Sequence, residues 1–334
     1  MNSREKVNKI FNRSNEDVRA YWVGNPDWKT IPIYAKEWGV EPTTEALSRY
    51  LNDDCRFVMA DDGYKLPTDR EVISPLYSLD GIKPILAEVE DVSELEKFNW
   101  PSADDCDFSE IYKKIDGFGD KMVFTGVWSP FFHMVADLFG MEEYFIKMYE
   151  NPAVVEAVTE KIVDYYIAAN DKFFAGVGGR ADVMFFGNDF GTQADMFVSP
   201  ENFRKFILPS FKRLVNVGKK HGKKILLHSC GSIHRIIPDL IDAGVDALHP
   251  LQAQAKGMSA DELSQYKNDL AFVGGIDAQS FFVNATPQEI EDEVKRVRDI
   301  LGPNIVISPS HEAILENVPA KNVVAMSKAA LSRD

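Results

Sequence analysis

The sequence predicts an α/β protein folded as a TIM (β/α)8 barrel, and three observations carry that expectation. From Lys121 onward, short runs rich in Val, Ile, Leu and Phe alternate with longer stretches of helical periodicity, the pattern of parallel βαβ units. Eight strand-like runs can be counted along the whole chain, the number that closes such a barrel. No Gly-rich phosphate fingerprint follows the first of them, which weighs against the open, doubly wound alternative.

Residues 3 to 22 read as an amphipathic helix, an N-terminal extension to the barrel. Residues 31 to 34, Ile-Pro-Ile-Tyr, read as the first strand, with Pro32 tolerable only near its start. A helix over 44 to 51 leads into a second strand at 56 to 60, which stops at Asp61-Asp62-Gly63. Between about 64 and 119 the pattern blurs into short alternating runs and turns. This stretch is expected to be a β-rich insertion over one mouth, with a capping box at Ser93-Glu94-Leu95-Glu96.

The regular part follows. A strand at 121 to 125 precedes a helix over 131 to 149, and Asn151-Pro152 opens another whose stripe is Val154, Val155, Val158, Ile162, Tyr165, Ala169 and Phe173. Next come a strand at 182 to 186, a helix opened by Ser199-Pro200, and the strand that ends in His228-Ser229-Cys230-Gly231. A helix at 236 to 241, strands at 245 to 249 and 270 to 273, and a capping box at Ser259 and Glu262 lie beyond it. Thr286 and Glu289 cap the last long helix before the final strand at 305 to 307. A single domain is expected to take all 334 residues, since a barrel with insertions reaches that size.

The net charge of −15 repels polyanions and so disfavours nucleic acid and anionic membrane surfaces. Cys55, Cys106 and Cys230 are too few and too scattered for a disulfide framework. No run is long enough without polar residues to span a bilayer, and Met1 to Val7 lacks the apolar core of a signal peptide. A cytoplasmic location is expected.

In a TIM barrel the chemistry collects just after the strands, at their C-terminal ends. Those positions hold Asp61, Asp62, Trp128, Asn188, Asp189, His228, Cys230, His249, Gln252, Asp277, Ser310, His311 and Glu312. His228 and Cys230 are two apart and so share a face of their strand, aimed at one point. With His311 they offer one sulfur and two nitrogens, a donor set that suits zinc and leaves a fourth position open for catalysis. Plainer readings stand beside this one. Cys230 can be a small buried hydrophobe. Asn188, Asp189 and Asp277 can cap the helices after their strands, and His311 can act as an acid without metal. His133, His221 and His234 read as surface or packing residues, and the phenylalanines from Phe131 to Phe145 as core.

At these residues the chain resembles the uroporphyrinogen decarboxylase superfamily, and within it the corrinoid-linked methyltransferase branch. The segments that carry the resemblance are Asn188-Asp189-Phe190-Gly191, His228-Ser229-Cys230-Gly231, Ala243-Gly244-Val245-Asp246, Gly274-Gly275-Ile276-Asp277 and Ser308-Pro309-Ser310-His311-Glu312, followed by Val318-Pro319-Ala320-Lys321-Asn322-Val323. The resemblance implies a TIM barrel, usually dimeric in the decarboxylases. In the methyltransferase branch it implies a zinc held by a His-x-Cys strand end and a later Cys. His228 and Cys230 match the first two positions, and His311 stands at the third. The decarboxylases grip their substrate with an Arg-Gln-Ala-Gly-Arg type motif. Here the corresponding Ala35-Lys36-Glu37-Trp38-Gly39 has neither Arg, which discounts the porphyrin reaction even with Asp61 at the place of the pyrrole-binding Asp.

The expected function is therefore zinc-dependent transfer of a methyl group between a small substrate (a methyl ether, methylamine or thiol) and a corrinoid carried on a partner protein. His228, Cys230 and His311 are the expected metal ligands and, with Asp189, the catalytic set. Asp61, Asn188, Gln252, Asp277 and Glu312 are expected at the substrate, and a homodimer is the corresponding assembly. The alternative enzyme is a metal-free lyase acting on a small carboxylated ring, with Asp61 and His311 as acid and base. A docking subunit without activity is the third reading.

Overall fold

The apolar runs form eight parallel strands in a computed structural model that describes residues 1–76, 83–311 and 313–333. They are β1 Ala20–Tyr21, β2 Cys55–Met59, β3 Met122–Gly126, β4 Val183–Gly187, β5 Lys224–His228, β6 Ala247–His249, β7 Ala271–Ile276 and β8 Ile305–Pro309. Around the barrel the order is β1-β8-β7-β6-β5-β4-β3-β2, each neighbouring pair parallel. Helices follow the strands on the outside, as right-handed parallel crossovers require. The result is the expected TIM barrel.

Alternation along the strands divides the apolar residues into two cores. Trp22, Phe124, Phe185, Leu226, Ala247, Val273 and Val306 fill the barrel's interior, and Val7, Ile10 and Phe11 of the helix Ser3–Phe11 join them. Phe11 stacks on Phe124 with ring centroids 6.1 Å apart. The N-terminal helix thus plugs the barrel from below, and the filled interior is a rigid floor for the other mouth.

The barrel is nearly closed. Between β1 and β2 a single backbone bond, Asp54 N–H to the Tyr21 carbonyl at 2.9 Å, replaces a ladder. Two buried carboxylates complete the seam. Asp54 Oδ2 accepts the Tyr21 N–H at 3.2 Å, and Asp53 Oδ2 accepts the Val23 N–H at 3.1 Å.

Three local expectations are corrected. The first strand is Ala20–Tyr21, whereas Ile31 to Tyr34 belong to the helix Thr30–Trp38. Pro32 falls in the first turn of that helix, where its missing N–H costs no bond. The N-terminal helix ends at Phe11, because Arg13 and Asn15 take φ of 52° and 58°, outside the right-handed helix. The stretch over 131 to 149 is two helices, Phe131–Phe139 and Met141–Glu150, parted at Gly140 with φ 82°.

The insertion is not β-rich among its described residues. It has the 3-10 turns Val92–Lys97 and Ala103–Asp105, the helix Ser109–Asp116 and one isolated bridge from Tyr64 to Cys106. Its scattered apolar residues Ile73, Leu86, Val89 and Leu95 are anchors pressed into the core, which mimic alternation without a paired strand. The capping box there runs from Asp91 to Glu94, two residues earlier than the sequence indicated. Among the described residues no helix is long and apolar enough to cross a membrane.

Candidate metal centre at the mouth of the barrel

Parallel register brings the ends of β4, β5 and β6 to one level, with Gly187 opposite His228 and His228 opposite His249. After His228 the chain turns sharply through Ser229, Cys230 and Gly231. Gly231 has φ +81°, and a Cβ there would lie 2.1 Å from the carbonyl oxygen of Gly191. Only glycine lets the loop after β4 press against this turn.

Side chains and backbone then lock the two loops together. Asn188 N–H donates to the His228 carbonyl at 3.0 Å, Phe190 N–H to Ser229 Oγ at 3.1 Å, and Gly231 N–H to Gln252 Oε1 at 2.6 Å. Asp189 Oδ1 accepts the Cys230 N–H at 2.7 Å. The carboxylate is thereby fixed beside the thiol and imidazole.

Asp189, His228 and Cys230 each present one ligand atom, all within 4.8 Å of one another. His228 Nε2 lies 3.4 Å from Cys230 Sγ and 3.3 Å from Asp189 Oδ1. A tetrahedral ion with metal–nitrogen and metal–oxygen bonds near 2.05 Å and a metal–sulfur bond near 2.3 Å separates its ligands by about 3.3 to 3.6 Å. The two edges at His228 match, and the donor set is one that zinc accepts, so the residues fit zinc. His311 is not in that group. Its Nδ1 accepts the Ala313 N–H at 3.1 Å, and Asp189 stands beside His228 and Cys230 as the third residue able to hold a metal.

Burial by itself raises the Asp189 carboxyl, but the hydrogen bond and charge of His228 and the Cys230 N–H outweigh it and hold it at about 2. Asp189 is therefore an anion at neutral pH, as a metal ligand must be. His228 is 3% exposed, with the Trp128 ring 5.3 Å from its own. On its far side His228 Nδ1 lies 2.9 Å from His249 Nδ1. Burial first, then the neighbouring His228 and His311, push the His249 pKa well down, so its ring is neutral.

The remaining expected residues divide. Asn188 is spent on scaffolding: its Oδ1 accepts the Phe132 N–H and its Nδ2 donates to the Ser129 carbonyl, both at 3.0 Å. These bonds make it a brace between two strand ends. Asp277 likewise caps the short helix Phe281–Asn284, accepting Phe281 N–H at 3.0 Å and Ser280 Oγ–H at 2.9 Å. Gln252 uses its oxygen on Gly231. Asp61 accepts the Trp128 N–H at 2.7 Å, and burial pushes its carboxyl up to about 6. Glu312 lies outside the described residues.

One histidine, His249, acquires a place at the site that the sequence did not assign, and a second, His133, lies close by. His249 stood among the mouth positions without a role, and the signal for it was its place opposite His228 on the neighbouring parallel strand. His133, read as a packing residue, has its pKa lowered first by burial, against the opposing charge of Asp189. Its position at the start of the helix Phe131–Phe139 gave no hint of this.

Comparison with known proteins bears on the family and the fold. A search of curated proteins finds no match. Among solved structures, a methyltransferase from Methanosarcina mazei superposes with a TM-score of 0.71 at 14% identity, covering 99% of this chain and 98% of that one. Xylanase 10B from Thermotoga maritima reaches a TM-score of 0.46 at 11% identity, covering 99% and 98%. At 14% identity the likeness to the methyltransferase is one of fold. The sequence model of the family described as Uroporphyrinogen decarboxylase (URO-D) matches residues 80–332, well over half of the 334, and the chain belongs to that family.

Proposed function

We propose that the protein is a zinc-dependent methyltransferase that moves a methyl group between a small substrate and a corrinoid carried by a partner protein. The observation that carries this is the clustering of Asp189, His228 and Cys230 at tetrahedral-edge distances on the rigid strand ends. The family and the fold shared with a methyltransferase support an enzyme of this kind.

Zinc held there supplies Lewis-acid chemistry, which favours a substrate thiolate at neutral pH or polarises an ether oxygen or amine whose methyl group leaves. The chain's own residues do the rest. Asp189 and Cys230 contribute two anionic donors and His228 a neutral one, leaving one position for substrate. Trp128, 5.3 Å from His228 ring to ring, excludes water from one side. His311, beyond Pro309 at the end of β8, faces the substrate as an acid or base, and so does Asp61, with a carboxyl near 6. The methyl donor is a methyl ether, methylamine or methylated thiol. The corrinoid protein docks over the mouth, and the chain works in the cytoplasm as a homodimer.

The test is methyl transfer itself. Zinc-loaded protein is mixed with a Co(I) corrinoid protein and a panel of methyl donors, and methylation is read from the cobalt absorbance. Turnover with one donor, lost in His228→Ala, is the expected outcome; undiminished turnover after complete removal of metal would sink the proposal. The Asp61 carboxyl at about 6 favours one second reading, a metal-free lyase with Asp61 and His311 as acid and base. That reading predicts carbon dioxide release in the presence of a chelator.

A further inference from the structure

Below the candidate metal centre two imidazoles meet edge to edge. His228 Nδ1 and His249 Nδ1 are 2.9 Å apart, so one of them carries the shared proton and the other presents its lone pair. The opposite nitrogen of His228, Nε2, faces Cys230 Sγ at 3.4 Å and Asp189 Oδ1 at 3.3 Å. Which nitrogen of His228 is bare therefore depends on His249.

His249 has little freedom to do otherwise. It is 1% exposed, its ring 5.2 Å from that of Trp22 and 5.2 Å edge-on from that of Phe185. Its own Nε2 is buried without a partner among the described residues. A buried polar atom left unpaired is costly, and an apolar ring would fill the same space without that cost. Packing alone does not account for a histidine here.

We propose that His249 is a positioning residue: its Nδ1 accepts the Nδ1–H of His228, which fixes the rotation of that ring and leaves the Nε2 lone pair aimed at the metal position. The inference rests on the metal-centre reading above. Metal-bound histidines commonly direct their second nitrogen to a carboxylate or carbonyl oxygen, which sets the tautomer and strengthens the ligand. A neutral imidazole sets the tautomer and adds no negative charge. The charge of the site is then left to Asp189 and Cys230, and the bound ion stays a stronger Lewis acid toward substrate.

Two substitutions in the full-length chain separate this from packing. In His249→Asn the amide oxygen stands where Nδ1 stood, and in His249→Phe an aromatic ring is kept but the acceptor is gone. Zinc affinity, measured by competition with a chromophoric chelator, should fall about 10- to 100-fold in His249→Phe and recover for the most part in His249→Asn. The reverse order, with Phe tolerated and Asn the weaker binder, would overturn the proposal. A second readout needs no metal. In zinc-free protein labelled with 15N at histidine, a through-hydrogen-bond coupling between the two Nδ1 atoms is expected, absent in His249→Phe. Zinc binding by the wild type without that coupling would refute the role of His249 alone. Coupling in a wild type that takes up no zinc would support the contact and count against the metal-centre reading.

Discussion

Gly187 shows how tightly the site is tuned at the scale of single residues. It is the last residue of β4, opposite His228, and a Cβ there would lie 2.2 Å from the ring of Trp128. Trp128 in turn lies against His228. Gly187→Ala should force the indole off the imidazole and cost about 1–3 kcal/mol by overpacking, read from the urea midpoint, with weaker zinc uptake alongside. At this scale the His-x-Cys strand end was legible, because alternation alone aims both side chains one way. Asp189 was legible as a catalytic candidate at a strand end but not as a neighbour of the thiol; that closeness depends on the Cys230 N–H that holds it. The bracing bonds of Asn188 were not legible for a related reason, since a buried amide that braces two loops and one that binds substrate read identically in sequence.

Among the elements, the helices were readable wherever a cap or an apolar stripe marked them. Thr286 with Glu289 and Ser259 with Glu262 do form capping boxes. β1 escaped because two residues are too short for any periodicity, and its place is set by carboxylates across the seam. Asp54 is the key group there: it accepts from Ser3 Oγ at 2.8 Å, Lys6 Nζ at 3.0 Å and Tyr21 N at 3.2 Å. Asp54→Ala should cost at least about 1–3 kcal/mol, because it strands the buried Tyr21 N–H. Chemical denaturation tests this, and a loss below about 0.5 kcal/mol, typical of an ordinary surface change, would mean the seam is held by something else.

For the molecule as a whole, burying Asp53 and Asp61 makes stability depend on pH in a stated direction. Burial raises Asp53 from 3.8 to about 7, against the N–H bonds and Arg56 that lower it, and Asp61 from 3.8 to about 6. Both folded values lie above the unfolded one. Their contribution is therefore present in full below pH 3.8 and is lost as pH rises through about 6 for Asp61 and about 7 for Asp53. Asp53→Asn should flatten the decline in Tm between those limits; an unchanged slope would contradict the burial account.

The central claim for the molecule is that the barrel mouth holds a metal ion on Asp189, His228 and Cys230. The most direct measurement is zinc per chain in the wild type and in Asp189→Ala, His228→Ala, Cys230→Ala and His311→Ala, each supplied with zinc and then freed of excess. The account predicts about one zinc per chain in the wild type, loss in the first three variants, and retention in His311→Ala with turnover gone. No zinc in the wild type, or zinc kept in Asp189→Ala and lost in His311→Ala, would contradict it.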